Sequence, residues 1–213
     1  MGTYQPPRRP LQTAYYGKHL IFFPSRKNQQ ALVCHSALEA DYCVLLEYDT
    51  AVIRYESQPG PFEVNVAGRP RQYSPDFFVE TTESAYYTEV KADFHKLSSR
   101  VGLKLEAAQQ QFLCQGVTLA FADLESIRQN PKLSNLRFLY LHSFNVGDDE
   151  YGACLRFLSK QPYPISLRQI LNHHEGVRER AIYRAMFCRR IAFDFTRRLS
   201  LETSIEETAH ANH

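Results

Sequence analysis

The chain has 213 residues, 44% of them hydrophobic, enough for one full core and at most a small second domain. Its formal net charge of +2 is too mild to argue for nucleic acid by itself, and no apolar stretch approaches the roughly 20 residues of a membrane span. Five scattered cysteines (34, 43, 114, 154 and 188) without a Cys-x-x-Cys pair argue against a disulfide framework or a zinc site. With no apolar leader at the start, a cytoplasmic protein is expected.

The first 18 residues, rich in proline and arginine, are expected to form a flexible arm. His19–Phe23 reads as a short strand closed by Pro24. Residues 31–47 fit a helix, with Ala37, Leu38, Tyr42, Leu45 and Leu46 near helical spacing. Ser36, followed three residues later by Glu39, either starts that helix or caps an internal turn. Val52–Tyr55 reads as a strand stopped by Gln58-Pro59-Gly60-Pro61. Strands follow at 62–66, 71–80 and 85–92, joined by turns at Gly68-Arg69-Pro70 and Glu83-Ser84. Residues 95–115, rich in Leu, Ala, Gln and Lys, predict the longest helix, broken by Gly116. Val117–Phe121 predicts a further strand, and Leu136–Leu141 the last strand of the layer. Helices and strands in this order predict an α/β fold over 19–146, a mixed sheet flanked by helices.

A change of composition at Asn145–Glu150 places a boundary there. Beyond it, Ile165–His174 and Val177–Arg190 read as helices, and Ile191–Phe195 and Leu199–Ile205 as a hairpin. Helix, turn, helix and hairpin outline a small winged-helix-like domain over 147–213, with a loose tail from Ala209.

Chemistry is written into two of the strands. Tyr73-Ser74-Pro75-Asp76-Phe77-Phe78-Val79 and Tyr86-Tyr87-Thr88-Glu89-Val90-Lys91 are apolar and aromatic enough to be buried, yet each carries charge in its middle. In a strand, Glu89 and Lys91 point to one face, and Asp76 can meet them from a neighbouring strand. Buried charge is costly unless it is paired or holds a metal. Alone, a Pro-Asp pair is a common strand start and Glu-x-Lys a common cross-strand salt bridge. Together on successive strands they outline a divalent-metal site with a cationic helper. Phosphodiester hydrolysis needs an activated water, a Lewis acid and stabilisation of the leaving oxygen, all of which carboxylate-held Mg²⁺ supplies. Asp76 and Glu89 are the candidate ligands, with the Val90 carbonyl beside them. Lys91 would position the water or stabilise charge on the phosphate. Glu39, in Ser36-Ala37-Leu38-Glu39, is the candidate third carboxylate.

The Pro-Asp…Glu-x-Lys pattern resembles the PD-(D/E)XK, or restriction-endonuclease-like, superfamily. More narrowly, the succession Phe23–Lys27, Ser36–Glu39, Val52–Pro59, Tyr73–Phe77 and Glu89–Lys91 resembles TnsA, the endonuclease subunit of heteromeric cut-and-paste transposases. The resemblance covers about residues 20–95. It implies a restriction-endonuclease-like core in which Glu39, Asp76 and Glu89 hold Mg²⁺, or Mn²⁺ in its place, and Lys91 assists catalysis. It also implies double-stranded DNA at transposon ends as substrate, cut on the 5′ strands. A DDE-type transposase and a regulatory ATPase are the implied partners, with the reaction at the nucleoid. Two other readings stay open: a stand-alone restriction or repair nuclease, and a non-catalytic DNA-binding or scaffolding subunit.

Several basic residues are candidate DNA contacts. Residues 165–200 hold eight arginines (168, 178, 180, 184, 189, 190, 197 and 198) against Glu175, Glu179 and Asp194. Arg180 and Arg184 share a helical face there, and Lys96, Arg100 and Lys104 recur every four residues. Either set could equally be a solvated helix surface with ion pairs. Arg8 and Arg9 would reach a groove only as part of a flexible arm, and His173-His174 reads as polar helix surface. Gln58 is either part of a turn or a group that orients a phosphate or water.

Overall fold

The structure, a computed structural model, describes residues 20–172 and 176–208. The expected arm with Arg8 and Arg9, His19, the His173-His174 pair and the tail from Ala209 lie outside them. The chain divides into two compact units between Ile127 and Arg128, not near 147 as composition implied.

The first unit is a mixed α/β body. It opens with a hairpin, β1 (Ile21–Ser25) and β2 (Gln30–Cys34), so the strand runs through Pro24 rather than ending at it. Residues 31–34, expected to be helical, are strand; the helix α1 covers Ala37–Tyr48. Ser36 marks its start, with an extended backbone and an Oγ that accepts the Glu39 N–H at 3.1 Å. Next come β3 (Val52–Ser57), β4 (Phe62–Val66), β5 (Arg69–Tyr73), β6 (Phe77–Thr81) and β7 (Ala85–Lys91). The single strand expected over 71–80 is thus two, separated at Ser74-Pro75-Asp76. The β4–β5 turn is Ala67-Gly68, both at positive φ (50° and 78°), the backbone that a tight two-residue hairpin requires. A 3₁₀ turn at Phe94–Lys96 precedes α2 (Ser99–Cys114), and β8 (Thr118–Asp123) and a single turn, α3 (Leu124–Ile127), complete the unit.

Four strands form the central sheet in the order β3-β6-β7-β8. The first three run antiparallel; β8 lies parallel to β7, which demands a crossover, and α2 supplies it. Gly116, at φ 74°, ends α2 and turns the chain back to the sheet. One sheet face packs against α2 and the β4–β5 hairpin through Val64, Tyr73, Phe78, Tyr87, Leu105 and Phe112. The Tyr87 and Phe112 rings stack at 4.8 Å, and Phe62 meets both edge-on at 5.2 Å. Against the other face, Tyr42 of α1 packs on Phe77 and hydrogen bonds Thr88.

The second unit is helical with a small sheet: α4 (Lys132–His142), α5 (Asp148–Leu158), β9 (Ile165–Ser166), α6 (Leu167–Asn172), α7 (Glu179–Phe187), β10 (Ile191–Ala192) and β11 (Ser204–Glu207). Leu136–Leu141, expected to be a strand, is helix. Leu133, Leu136, Leu139 and Tyr140 are its buried apolar positions, the spacing of one helical face, while Phe138 and Leu141 face out. The α5 helix was not expected. Gly147 and the acidic Asp148-Asp149-Glu150 start it, complementing the positive end of the helix. The expected helix over Ile165–His174 begins instead with strand β9, and Val177–Arg190 is helical only over α7. In place of a two-stranded hairpin, β11 pairs antiparallel with both β10 and β9. Buried Asn135 holds the intervening loop, donating to the Arg197 carbonyl at 2.8 Å and accepting the Leu199 N–H at 2.9 Å. Among the described residues no helix is long and apolar enough to cross a membrane.

Candidate active site

Local sequence places the acids. Pro75 ends the run after β5, and the register that pairs Phe77 with Thr88 sets Asp76 beside Glu89. Both carboxylates are buried, at 8% and 5% exposure. Lys91, two residues along β7, reaches back to both. Its Nζ lies 2.6 Å from Glu89 Oε1 and 3.3 Å from Asp76 Oδ2, and it donates to the Val90 carbonyl at 3.1 Å. The structure therefore brings Asp76, Glu89, Val90 and Lys91 together.

Each carboxylate is also held by further donors. Asp76 Oδ2 accepts the Val90 N–H at 2.7 Å, and its Oδ1 accepts from Gln58 Nε2 at 3.1 Å. The Gln58 N–H also donates to the Asp76 carbonyl at 2.8 Å. Gln58 has φ 53°, a left-handed backbone costly for a residue with a Cβ. That strained turn serves to face Gln58 towards Asp76, so Gln58 orients a carboxylate. Tyr73 donates its hydroxyl to Glu89 Oε2 at 2.8 Å. Tyr73 was not singled out from the sequence, although its place three residues before Asp76, at the end of a strand, was the available signal.

Glu39 is also buried, but its carboxylate turns back onto its own helix start. It accepts the His35 N–H at 2.7 Å and the Ser36 hydroxyl at 3.0 Å. The acid that caps α1 is thus the one expected to join the ligand set. Among the described residues, no three His, Cys, Asp or Glu side chains are gathered closely enough to hold a metal ion as they stand. The expected triple set is therefore not assembled: Lys91 occupies the space between Asp76 and Glu89, and the cap holds Glu39.

Electrostatics makes this cluster an unsatisfied one. Burial, and then the Asp76 charge, push the Glu89 carboxyl above its ordinary value. Burial is also the largest effect on Glu39, which again rises with Asp76 contributing. Burial pulls the Lys91 ammonium down, but Asp76 and Glu89 outweigh it and the net direction is up. Two buried carboxylates, Asp76 and Glu89, share the one ammonium of Lys91, and the capped Glu39 feels the Asp76 charge from its helix start. Hard oxygen donors with a formal negative charge in excess fit Mg²⁺ or Mn²⁺, with Asp76, Glu89 and the Val90 carbonyl as the donors nearest to hand.

These directions predict a pH dependence. A carboxyl whose pKa is raised in the folded chain contributes stability fully below its ordinary value of 4.5. That contribution is lost as pH rises through the raised value, so ionising Glu89 counts against the metal-free fold. Glu89→Gln is expected to raise the melting temperature in EDTA at neutral pH by a few degrees and to flatten its decline above pH 4.5. A lower neutral-pH melting temperature than wild type would contradict this account of Glu89.

The remaining candidates fall elsewhere. Lys96 lies in the 3₁₀ turn, paired with Asp93 at 2.9 Å, and does not continue the face of α2 that carries Arg100 and Lys104. In the second unit, Arg180 donates to the Asn145 carbonyl at 3.1 Å and Arg184 to the Val146 carbonyl at 2.9 Å, with its guanidinium 4.2 Å over the Tyr151 ring. Both therefore bind the loop before α5. Arg178 forms a two-pronged pair with Glu150, and Arg168 and Arg197 pair with Glu202 and Asp194. A further buried acid, Glu47, accepts from Ser25 at 2.5 Å and Tyr55 at 2.9 Å. It fastens the β1–β2 hairpin to α1 and β3, which gives the Phe23–Lys27 run a structural role.

No protein-family model matches the chain, and no curated protein matches it.

Proposed function

We propose that the first unit is a metal-dependent DNA endonuclease of the restriction-endonuclease-like superfamily. The observation that carries this is the meeting of Asp76, Glu89 and Lys91 in buried strands, with each acid oriented by a dedicated donor. A stretch of core that served only packing would gain by replacing this cluster with apolar residues. The mixed sheet flanked by α1 and α2 supports the superfamily reading.

Asp76 and Glu89 would hold Mg²⁺, with the Val90 carbonyl, and Glu39 as third acid if it leaves its cap. When bound, the ion supplies a Lewis acid for the phosphate and an activated water. Gln58 and the Val90 N–H fix the Asp76 carboxylate, and Tyr73 fixes that of Glu89, so little reorganisation accompanies the reaction. Lys91 holds a proton and a positive charge next to both acids, placed to stabilise negative charge on the phosphate.

The narrower reading is TnsA-like: 5′-strand cutting at transposon ends, in a complex with a DDE-type transposase and a regulatory ATPase. It rests on the residue succession given above. In the second unit, α6, α7 and the β10–β11 pair follow the order of a winged-helix module, which supports that reading of the region.

Cleavage of a labelled transposon-end duplex in Mg²⁺ or Mn²⁺, with and without the two partners, tests both levels. Cutting of the 5′ strand only in the presence of partners is expected. Partner-free cutting would keep the nuclease and discard the transposase setting. Absence of metal-dependent cutting under every condition would leave a DNA-binding or scaffolding subunit.

A further inference from the structure

We propose that the groove between α2 and the β4–β5 hairpin is the track for the phosphate backbone of the strand entering the site. The groove encloses about 790 Å³, with Val66, Arg71 and Gln72 on the hairpin wall and Arg100, Val101 and Lys104 on the helix wall. Among the described residues, none of Arg71, Arg100 and Lys104 is paired with a carboxylate. By contrast, Lys96 of the same unit is paired with Asp93, and Arg54 with Glu80. Three cations on facing elements, left without an acid, form a standing positive potential.

The groove and the buried acids share a wall. Lys104 Nζ lies 5.5 Å from the centre of the Tyr73 ring, and the hydroxyl of that ring is on Glu89. The acid cluster repels anions, so a phosphate reaches it only where neighbouring cations offset that charge. Arg100 and Lys104, four residues apart on α2, stand about 6 Å apart along the axis, close enough to bind successive phosphates of one strand. Arg71 faces them from β5. Cations distributed along a groove suit a repeating anion better than a single small one, and a shared wall with a phosphodiester site favours nucleic acid over an acidic peptide. This places the substrate of the proposed nuclease and rests on that reading.

The test is duplex binding by the full chain in EDTA, read by fluorescence anisotropy over a salt series. Arg71→Ala/Arg100→Ala/Lys104→Ala is expected to weaken binding at least tenfold and to lower the log–log salt slope by about 2–3. Arg54→Ala, which removes a paired cation, should leave the slope unchanged. Unchanged affinity and slope in the triple variant overturns the track. So does a wild-type chain that binds no duplex, or a triple variant that loses binding to polyglutamate but keeps the duplex. Because no metal is present, the two readings fail separately. Asp76-dependent cleavage with binding intact in the triple variant removes only the track. Groove-dependent binding without cleavage under any condition removes only the nuclease.

Discussion

Asp76→Ala is expected to abolish Mg²⁺-dependent strand cleavage, with a loss of at least about a thousandfold, while the protein still folds. The rate effect follows from the position of Asp76: it is the acid that Gln58, the Val90 N–H and Lys91 all hold. In the proposed site its removal takes away a ligand and several kcal/mol of charge stabilisation, about 4 kcal/mol for a thousandfold. The stability effects oppose one another. The buried Val90 N–H loses its acceptor, at about 1–2 kcal/mol, whereas Glu89 and Glu39 each lose a like-charged neighbour. Circular dichroism and melting in EDTA should therefore stay near wild type. Cutting at the wild-type rate would sink the site assignment. In the transposition setting, the variant should leave 3′ cutting by the partner intact and shift products from simple insertions towards cointegrates; simple insertions at wild-type yield would contradict that setting.

Lys91→Met should act on stability and rate together, in a way that separates the role of this residue from that of Asp76. Methionine keeps an unbranched stem but removes the cation that lies against two buried carboxylates. Leaving them without it is expected to cost roughly 2–4 kcal/mol in the metal-free protein, less than a fully buried ion would because Lys91 is partly exposed. The melting temperature in EDTA should drop by roughly 5–10 °C. Mg²⁺ should restore most of that loss, since a dication replaces the missing charge, yet cleavage should stay about a hundredfold down. Calorimetry with and without Mg²⁺ decides the point. A melting temperature unmoved in EDTA would show that Lys91 is not the counter-charge of the acids.

Much of this was legible in the chain itself. Alternation and aromatic content marked β3, β4, β7 and β8, Gly116 marked the end of α2, and Ser36 with Glu39 offered the start of α1 as one of two readings. The juxtaposition of Asp76, Glu89 and Lys91 was equally readable, because strand periodicity puts Glu89 and Lys91 on one face and a short hairpin brings Asp76 alongside. Other segments were misread for identifiable reasons. Leu136–Leu141 is apolar and aromatic enough for either state, and only its packing on one helical face made it helix. Ala31–Cys34 carries no residue that forbids a helix, but pairing with β1 makes it strand. Arg180 and Arg184 lie on one helix as expected, yet carbonyls and a ring from another segment engage them.

The sequence by itself determined which charges lie within apolar strands, because a buried strand tolerates charge only where the charge has a task or a partner. Tertiary structure alone decided what those charges meet. Gln58 reaches Asp76 across 18 positions and Tyr73 reaches Glu89 across 16, and Glu39 faces its own cap. Lys104 settles over Tyr73 only because α2 crosses beside the β4–β5 hairpin. Local periodicity dictates the face to which a side chain points; the partner waiting there is set by how distant elements pack.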